Sequence, residues 1–367
     1  MRESPIGSFL LRRAAAPTLG VLAAYLIFTV VALGWHRWDP LWFAWIGERY
    51  SDLEPGGDTG YDGQFVYYIA RYGLDSLSHL DNPAYRLQRI GYPLAVWALS
   101  AGQPALMPWV MIAINLAAIV VTTRLLSVWL SSQGLSAWYS LLYAGYVGTF
   151  MAFSRDLTEP LAFALVAAGI LAWLRRRVGW AVVWLACAAL TKEITLLVVF
   201  GIVAVEILER HFRTAVVVSL AVVPLALWEL ALYALTGVVA FRSGPTLEWI
   251  PLAGIIPILT PDPGRWMVLA FVSLPALAAL VRSGVGVLHE RPHGFVWWTV
   301  LFNALFAVLM PSIVCDHLMH AGRNTCGLAL ALVFALPRLG QRWRWLALVI
   351  AIVPSVAWLG PILRWNP

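Results

Sequence analysis

Apolar runs of ~17–25 residues recur along this chain, long enough to carry a helix across ~30 Å of hydrocarbon. Lipid offers no partner to a free backbone amide, so such runs read as helices. The alternating ten-residue strands of an outer-membrane barrel are not found. The first run, residues 17–34, follows Arg12 and Arg13. It is read as a retained span, because Trp35-His36-Arg37 follows it rather than a small-x-small cleavage site. Ten further runs fit spans: 106–130, 135–153, 161–174, 178–190, 194–208, 214–235, 266–281, 295–314, 321–336 and 345–363. Residues 90–101 are apolar but too short to cross, and are read as re-entrant or interfacial. The pattern therefore predicts an all-α polytopic integral membrane protein with about eleven transmembrane helices, in a range of 10–12. It forms one domain, residues 1–367, in which residues 35–105 make a long first loop with short amphipathic and re-entrant helices.

Charge sets the expected orientation. Basic loops belong in the cytoplasm, and Arg124, Arg175-Arg176-Arg177, Arg210, Arg213, Arg282, Arg291, Arg338, Arg342 and Arg344 can all be placed there together. The acidic first loop, with Asp39, Glu48, Asp52, Glu54, Asp58, Asp62, Asp75 and Asp81, then lies outside, as does the C-terminus. A membrane location is expected. Composition agrees: 61% hydrophobic residues, 12% charged residues and a mean hydropathy of +0.77 exclude a soluble globular domain. The 20 Trp and 12 Tyr concentrate near span ends, where interfacial anchors sit. The net charge of +6 follows from the loop arginines and gives no reason to expect nucleic acid. Cys187 reads as a buried small hydrophobe; Cys315 and Cys326 would pair only in an oxidising compartment. No internal repeat or low-complexity linker interrupts the chain.

Nearly all polar residues that orientation does not explain fall on the outer side, and charges near membrane depth usually line a polar cavity. The stretch Gly60-Tyr61-Asp62-Gly63-Gln64-Phe65-Val66-Tyr67-Tyr68-Ile69-Ala70-Arg71 stands out. It predicts a helix with Phe65, Tyr68, Ile69 and Tyr72 on one face, Asp62 at its start. Asp62 is either a helix cap or a general base taking the proton from an attacking hydroxyl. Asp58 is an assisting carboxylate or an ordinary turn residue. Arg86 and Arg89 suit a phosphate, since each guanidinium can hold two oxygens, although snorkelling to lipid headgroups explains them as well. Lys192 and Arg323 are further phosphate ligands. Lys192-Glu193 reads equally as an internal ion pair, and Arg155, Asp156 and Glu159 as a structural network. Gln64, Tyr67, Tyr68, Tyr85, Gln88, Glu159, Glu193 and His320 are expected to contact substrate. Asp316 and His320, four apart, share a helical face, but without a third partner they make a weak metal site. No metal ligand is assigned, and a divalent cation, magnesium or manganese, is left open as a cofactor.

These residues resemble the GT-C glycosyltransferases, and more closely the bacterial cell-surface glycopolymer formation proteins distantly related to the second GPI mannosyltransferase. The block Pro83-Ala84-Tyr85-Arg86-Leu87-Gln88-Arg89-Ile90-Gly91-Tyr92-Pro93-Leu94 is similar to theirs, with Gly91 standing where a bulkier residue is expected. Thr158-Glu159-Pro160-Leu161 and Thr191-Lys192-Glu193 are less specific matches. The resemblance covers residues 60–94, and beyond that only the pattern of spans. It implies an inverting transfer of sugar from a polyprenyl-phosphate donor to an extracytoplasmic glycan or lipid-linked acceptor, with Asp62 as the catalytic carboxylate. It also implies a bacterial inner (plasma) membrane as the location. The rival readings are a transporter or flippase of a lipid-linked or small polar substrate, and a non-catalytic scaffold for envelope assembly. Transporters often show paired repeats and interrupted helices, and the repeat is missing here.

Overall fold

The computed structural model describes residues 5–258, 263–289 and 294–364; Arg291 and the side chains of Arg12 and Arg13 lie outside what it describes. Every regular element among the described residues is helical. The first loop contributes α2 (Gly63–Tyr72), α3 (Pro83–Leu87) and α4 (Gly91–Leu99) after the long α1 (Pro5–Trp35). There follow α5 (Met107–Ser132), α6 (Val147–Ser154), α7 (Glu159–Leu174), α8 (Val178–Thr191) and α9 (Leu196–Leu208). The remainder comprises α10 (Phe212–Thr236), α11 (Gly264–His289), α12 (Phe295–Val308), α13 (Leu318–Asn324), α14 (Cys326–Ala335) and α15 (Gln341–Arg364).

Among the described residues five helices are long and apolar enough to cross a membrane: Ala14–Trp35 within α1, and α5, α10, α11 and α15. Helices α7, α8 and α12 are apolar but shorter, at 16, 14 and 14 residues. At 1.5 Å per residue α7 spans ~24 Å, short of the full hydrocarbon thickness. The nine residues of α4 reach only ~14 Å, and Leu94, Trp97 and Leu99 are exposed on it.

The expected continuous span over residues 135–153 is broken. A 3₁₀ turn, Ala137–Ser140, leads to one α turn, Leu141–Ala144, and α6 starts only after Gly145 and an extended Tyr146. Most of this segment is buried, and from Leu142 to Phe153 nearly all of it, and buried protein tolerates irregular backbone that lipid would not. Cys187 is exposed on α8 beside Val183 and Trp184 rather than buried, while Cys315 and Cys326 are buried free thiols.

Two apolar cores result. The larger fills the space between α1, α5, α7, α8, α12 and α14. The smaller ties the first loop to the bundle: Phe65, Ile69, Leu87 and Tyr92 pack with Met107 and Met111 of α5 and Leu232 of α10. The Trp228 indole, also on α10, donates to the Leu87 carbonyl at 2.8 Å. The loop is thus a packed lid on one end of the bundle. At that end α1 finishes, α7 and α9 start and α8 finishes. The opposite end carries the turn Arg175-Arg176-Arg177 between α7 and α8, Arg210 after α9, and Arg338 after α14.

Candidate functional site

Asp62 occupies the N-cap position of α2 but makes no cap hydrogen bond. Its carboxylate instead receives two guanidinium groups. Arg86 Nη2 lies 3.0 Å from Oδ1 and Arg323 Nη2 lies 2.5 Å from Oδ2. Burial alone would push this carboxyl up, yet Arg323 and Arg86 outweigh it and hold the group well below the usual carboxylate range. Asp62 is therefore ionised at rest.

Local backbone contacts explain the glycines around it. Gly60 has φ of +59°, a left-handed conformation that glycine adopts without strain. A Cβ on Gly63 would lie 2.2 Å from the Arg155 carbonyl oxygen, so only glycine lets α2 begin against the α6–α7 turn. Gly91 has a matching role. A Cβ there would sit 2.6 Å from Thr191 Oγ1 and 2.9 Å from its amide nitrogen. The small residue brings α4 onto the end of α8, and with it Arg89 onto Glu193.

Three ion pairs surround Asp62. Arg86 holds Asp81 through two bonds of 2.8 and 2.7 Å and covers the Phe65 ring at 4.2 Å. Arg89 makes two bonds to Glu193, 2.9 and 2.6 Å, and donates to Tyr85 Oη at 2.7 Å. Burial alone would raise Glu193; Arg89 brings it down to about 2. Lys192 Nζ meets Glu159 Oε1 at 2.6 Å, with 3% and 1% of the two side chains exposed. Arg323 lies over the Tyr61 ring, which is stacked between Trp45 and His320 at 5.9 and 5.8 Å. Burial, helped by Arg323, pushes the His320 imidazole down to about 4, so it is neutral near pH 7.

A narrow polar pocket has Asp62, Arg86, Arg89, Glu159, Lys192 and Arg323 in its wall. Asp62, Arg86, Arg89 and Arg323 also border a much larger cavity of about 880 Å³, which Tyr85, Gln88, Glu193 and His320 join. The rest of that cavity is largely apolar, with Leu197 and Phe200 of α9, Phe241, Phe306 of α12 and Ile313 among its walls, though Thr246, Glu248 and Asn324 line it too. Buried Gln88 Oε1 has no hydrogen-bond partner there. The chamber wall is charged around Asp62 and largely oily beyond it.

Asp62, Arg86, Arg89, Lys192, Arg323, Tyr85, Gln88, Glu159, Glu193 and His320, chosen from the sequence, are thus gathered at one place. Four others are placed elsewhere. Asp58 is exposed and accepts from the Trp45 indole and the Gly60 amide, both at 3.2 Å, as a turn aspartate does. Gln64 is wholly buried; it accepts from the Gly47 amide at 3.1 Å and donates to the Thr59 carbonyl at 2.7 Å, which fastens the loop under α2. Tyr67 and Tyr68 are buried too. Tyr67 Oη accepts from Arg71, and the Tyr68 ring stacks on Tyr72. None of these four borders the cavity.

Sequence reasoning passed over Tyr61 and Asp81. The aromatic residue directly before Asp62 was the available sign for the first; nothing in the sequence marked the second as a partner of Arg86. The Asp316–His320 pair does not form a metal site, because Asp316 holds Arg265 at 2.6 Å. Among the described residues no group of three or more His, Cys, Asp or Glu side chains gathers, and guanidinium groups engage both Asp62 oxygens. The residues present do not fit a divalent cation held by protein ligands alone. No protein-family model matches the chain, and no curated protein matches it.

Proposed function

We propose that the chain is a GT-C-like membrane glycosyltransferase that moves a sugar from a polyprenyl-phosphate donor to a glycan or lipid-linked acceptor on the extracytoplasmic face. The carrying observation is the cavity's mixed wall: a carboxylate between arginines, and a largely apolar lining beyond them. A lipid phosphate sugar has the same two parts, and its tail can lie against Leu197, Phe200 and Phe306 while its phosphate meets the cations.

In the proposed reaction the acceptor hydroxyl gives its proton to Asp62 as its oxygen bonds to the anomeric carbon. The bond from that carbon to the phosphate oxygen breaks, and its electron pair leaves on the phosphate. The configuration inverts and polyprenyl phosphate departs. Arg86 and Arg323 supply the charge that steadies this leaving group, with Arg89 and Lys192 behind them. Because Arg86 and Arg323 also hold Asp62, a phosphate that draws either of them away raises the basicity of the carboxylate when the donor is in place. The orphan Gln88 Oε1 is suited to accept from a sugar hydroxyl.

Asp62→Asn keeps the shape and removes the base. Transfer from a radiolabelled polyprenyl-phosphate sugar should fall by ~10²–10⁴-fold in membranes holding normal amounts of the variant. Transfer at the wild-type rate in Asp62→Asn would remove the assignment.

A further inference from the structure

A second cavity of about 450 Å³ lies between α11, α12, α14 and α15, away from Asp62. Val272, Ala279, Val300, Leu328, Ala329 and Ala347 make its wall apolar. The polar groups at its inner end already satisfy each other: the Tyr146 and Thr325 hydroxyls are 2.6 Å apart, and Thr325 also donates to the Ala321 carbonyl at 2.9 Å. Such a wall has nothing to offer water and matches hydrocarbon. The two arginines of the lining lie toward the other end, one near the close of α11 and one after α14. Arg282 of α11 lies over the Trp297 ring at 4.1 Å, and Arg338 follows α14. Between Trp343 and Ile350 the α15 wall runs ~10 Å along the helix axis.

We propose that this cavity binds an anionic phospholipid, one acyl chain lying between α11, α14 and α15 and the phosphate between Arg282 and Arg338. Guanidinium forks suit phosphate oxygens, and basic pockets between membrane helices recognise anionic headgroups. Arg282 and Arg338 belong to the arginine-rich end of the bundle, the end that the positive-inside rule sets against the anionic cytoplasmic leaflet. Helix α15 supplies the reason for such a lipid. It is the least buried of the five long apolar helices, with 17% of its window buried against 28–56% for the others. A chain held against α11 and α14 fastens it to the bundle. The site is independent of sugar transfer.

The test uses full-length protein in neutral detergent, with dioleoyl phosphatidylglycerol or dioleoyl phosphatidylcholine added. Bound lipid is counted by native mass spectrometry and stability is followed by thermal scanning. Phosphatidylglycerol should bind one molecule per chain on the order of tenfold more tightly than phosphatidylcholine, and should raise Tm. Arg282→Gln with Arg338→Gln should erase that preference, and Ala347→Trp, which fills the cavity, should lose both lipids. Arg342→Gln, a charge outside the cavity wall, should keep the preference. Equal phosphatidylglycerol binding by wild type and the Arg282/Arg338 double variant would overturn the site. So would an equal loss in Arg342→Gln, which would mean general attraction to basic loops. Should Ala347→Trp not fold, the arginine variants decide alone.

Discussion

At the scale of single residues the site is a set of charges that would be untenable apart. Lys192 and Glu159 are the clearest case, since almost none of either side chain meets solvent. Removing one member of a buried pair strands the other and costs about 3–5 kcal/mol, whereas replacing both with apolar groups is far cheaper. Lys192→Met is therefore expected to lower Tm strongly, and Lys192→Met with Glu159→Leu to regain most of it, as read by thermal scans of the purified protein. A single variant as stable as the double would show that the pair does not hold α7 to the end of α8. Sequence made Asp62 conspicuous because a carboxylate beside a glycine opened an aromatic helix. It could not show that Arg323, read there as a phosphate ligand, pairs with Asp62 itself from the far end of the chain. Nor could it separate capping from pairing, since both use the same residue at the same helix position.

Elements were easier to read than their faces. Ten of the eleven expected spans are helical through most of their length, because an apolar run in lipid has few other ways to satisfy its backbone. The exception, residues 135–153, bends at Gly145 and Tyr146 under contacts with α14 and α15 that come much later in the chain. Helix α2 misled for a related reason. Its spacing put Phe65, Tyr68, Ile69 and Tyr72 on one face, but residues 63–70 are buried all round, so the Tyr67 and Tyr68 rings have no open side. The position of Arg323 depends on another close crossing. A Cβ on Gly148 of α6 would come 2.0 Å from the Gly322 carbonyl oxygen of α13. Gly148→Ala should push α13 away and cost about 1–3 kcal/mol of stability. It should also reduce transfer without removing a charge. Gly179→Ala in α8 meets nothing within 4 Å and should be neutral or stabilising, and the two are compared by Tm and by activity in membranes.

For the whole molecule the decisive matter is which end faces the cytoplasm. Arginine turns collect at one end and the polar site at the other, so the positive-inside rule predicts that the arginine end faces the cytoplasm. A membrane-impermeant maleimide should label Asp58→Cys in intact cells and Arg175→Cys only after lysis. Both positions are exposed, while the native thiols Cys315 and Cys326 are buried and Cys187 sits among apolar neighbours on α8. Labelling of Arg175→Cys in intact cells would invert the protein in the membrane and put Asp62 inside.

The matched charges around Asp62 also bear on turnover. Asp62, Asp81, Glu159 and Glu193 face Arg86, Arg89, Lys192 and Arg323, so this assembly sums to zero. A donor phosphodiester brings one negative charge into it. The lipid left after transfer is a phosphomonoester, which carries about −1.5 to −2 at pH 7. On the proposed reading the arginines grip the spent carrier harder than the fresh one. Escape of that carrier into the bilayer then sets the pace, and accumulated polyprenyl phosphate acts as an inhibitor.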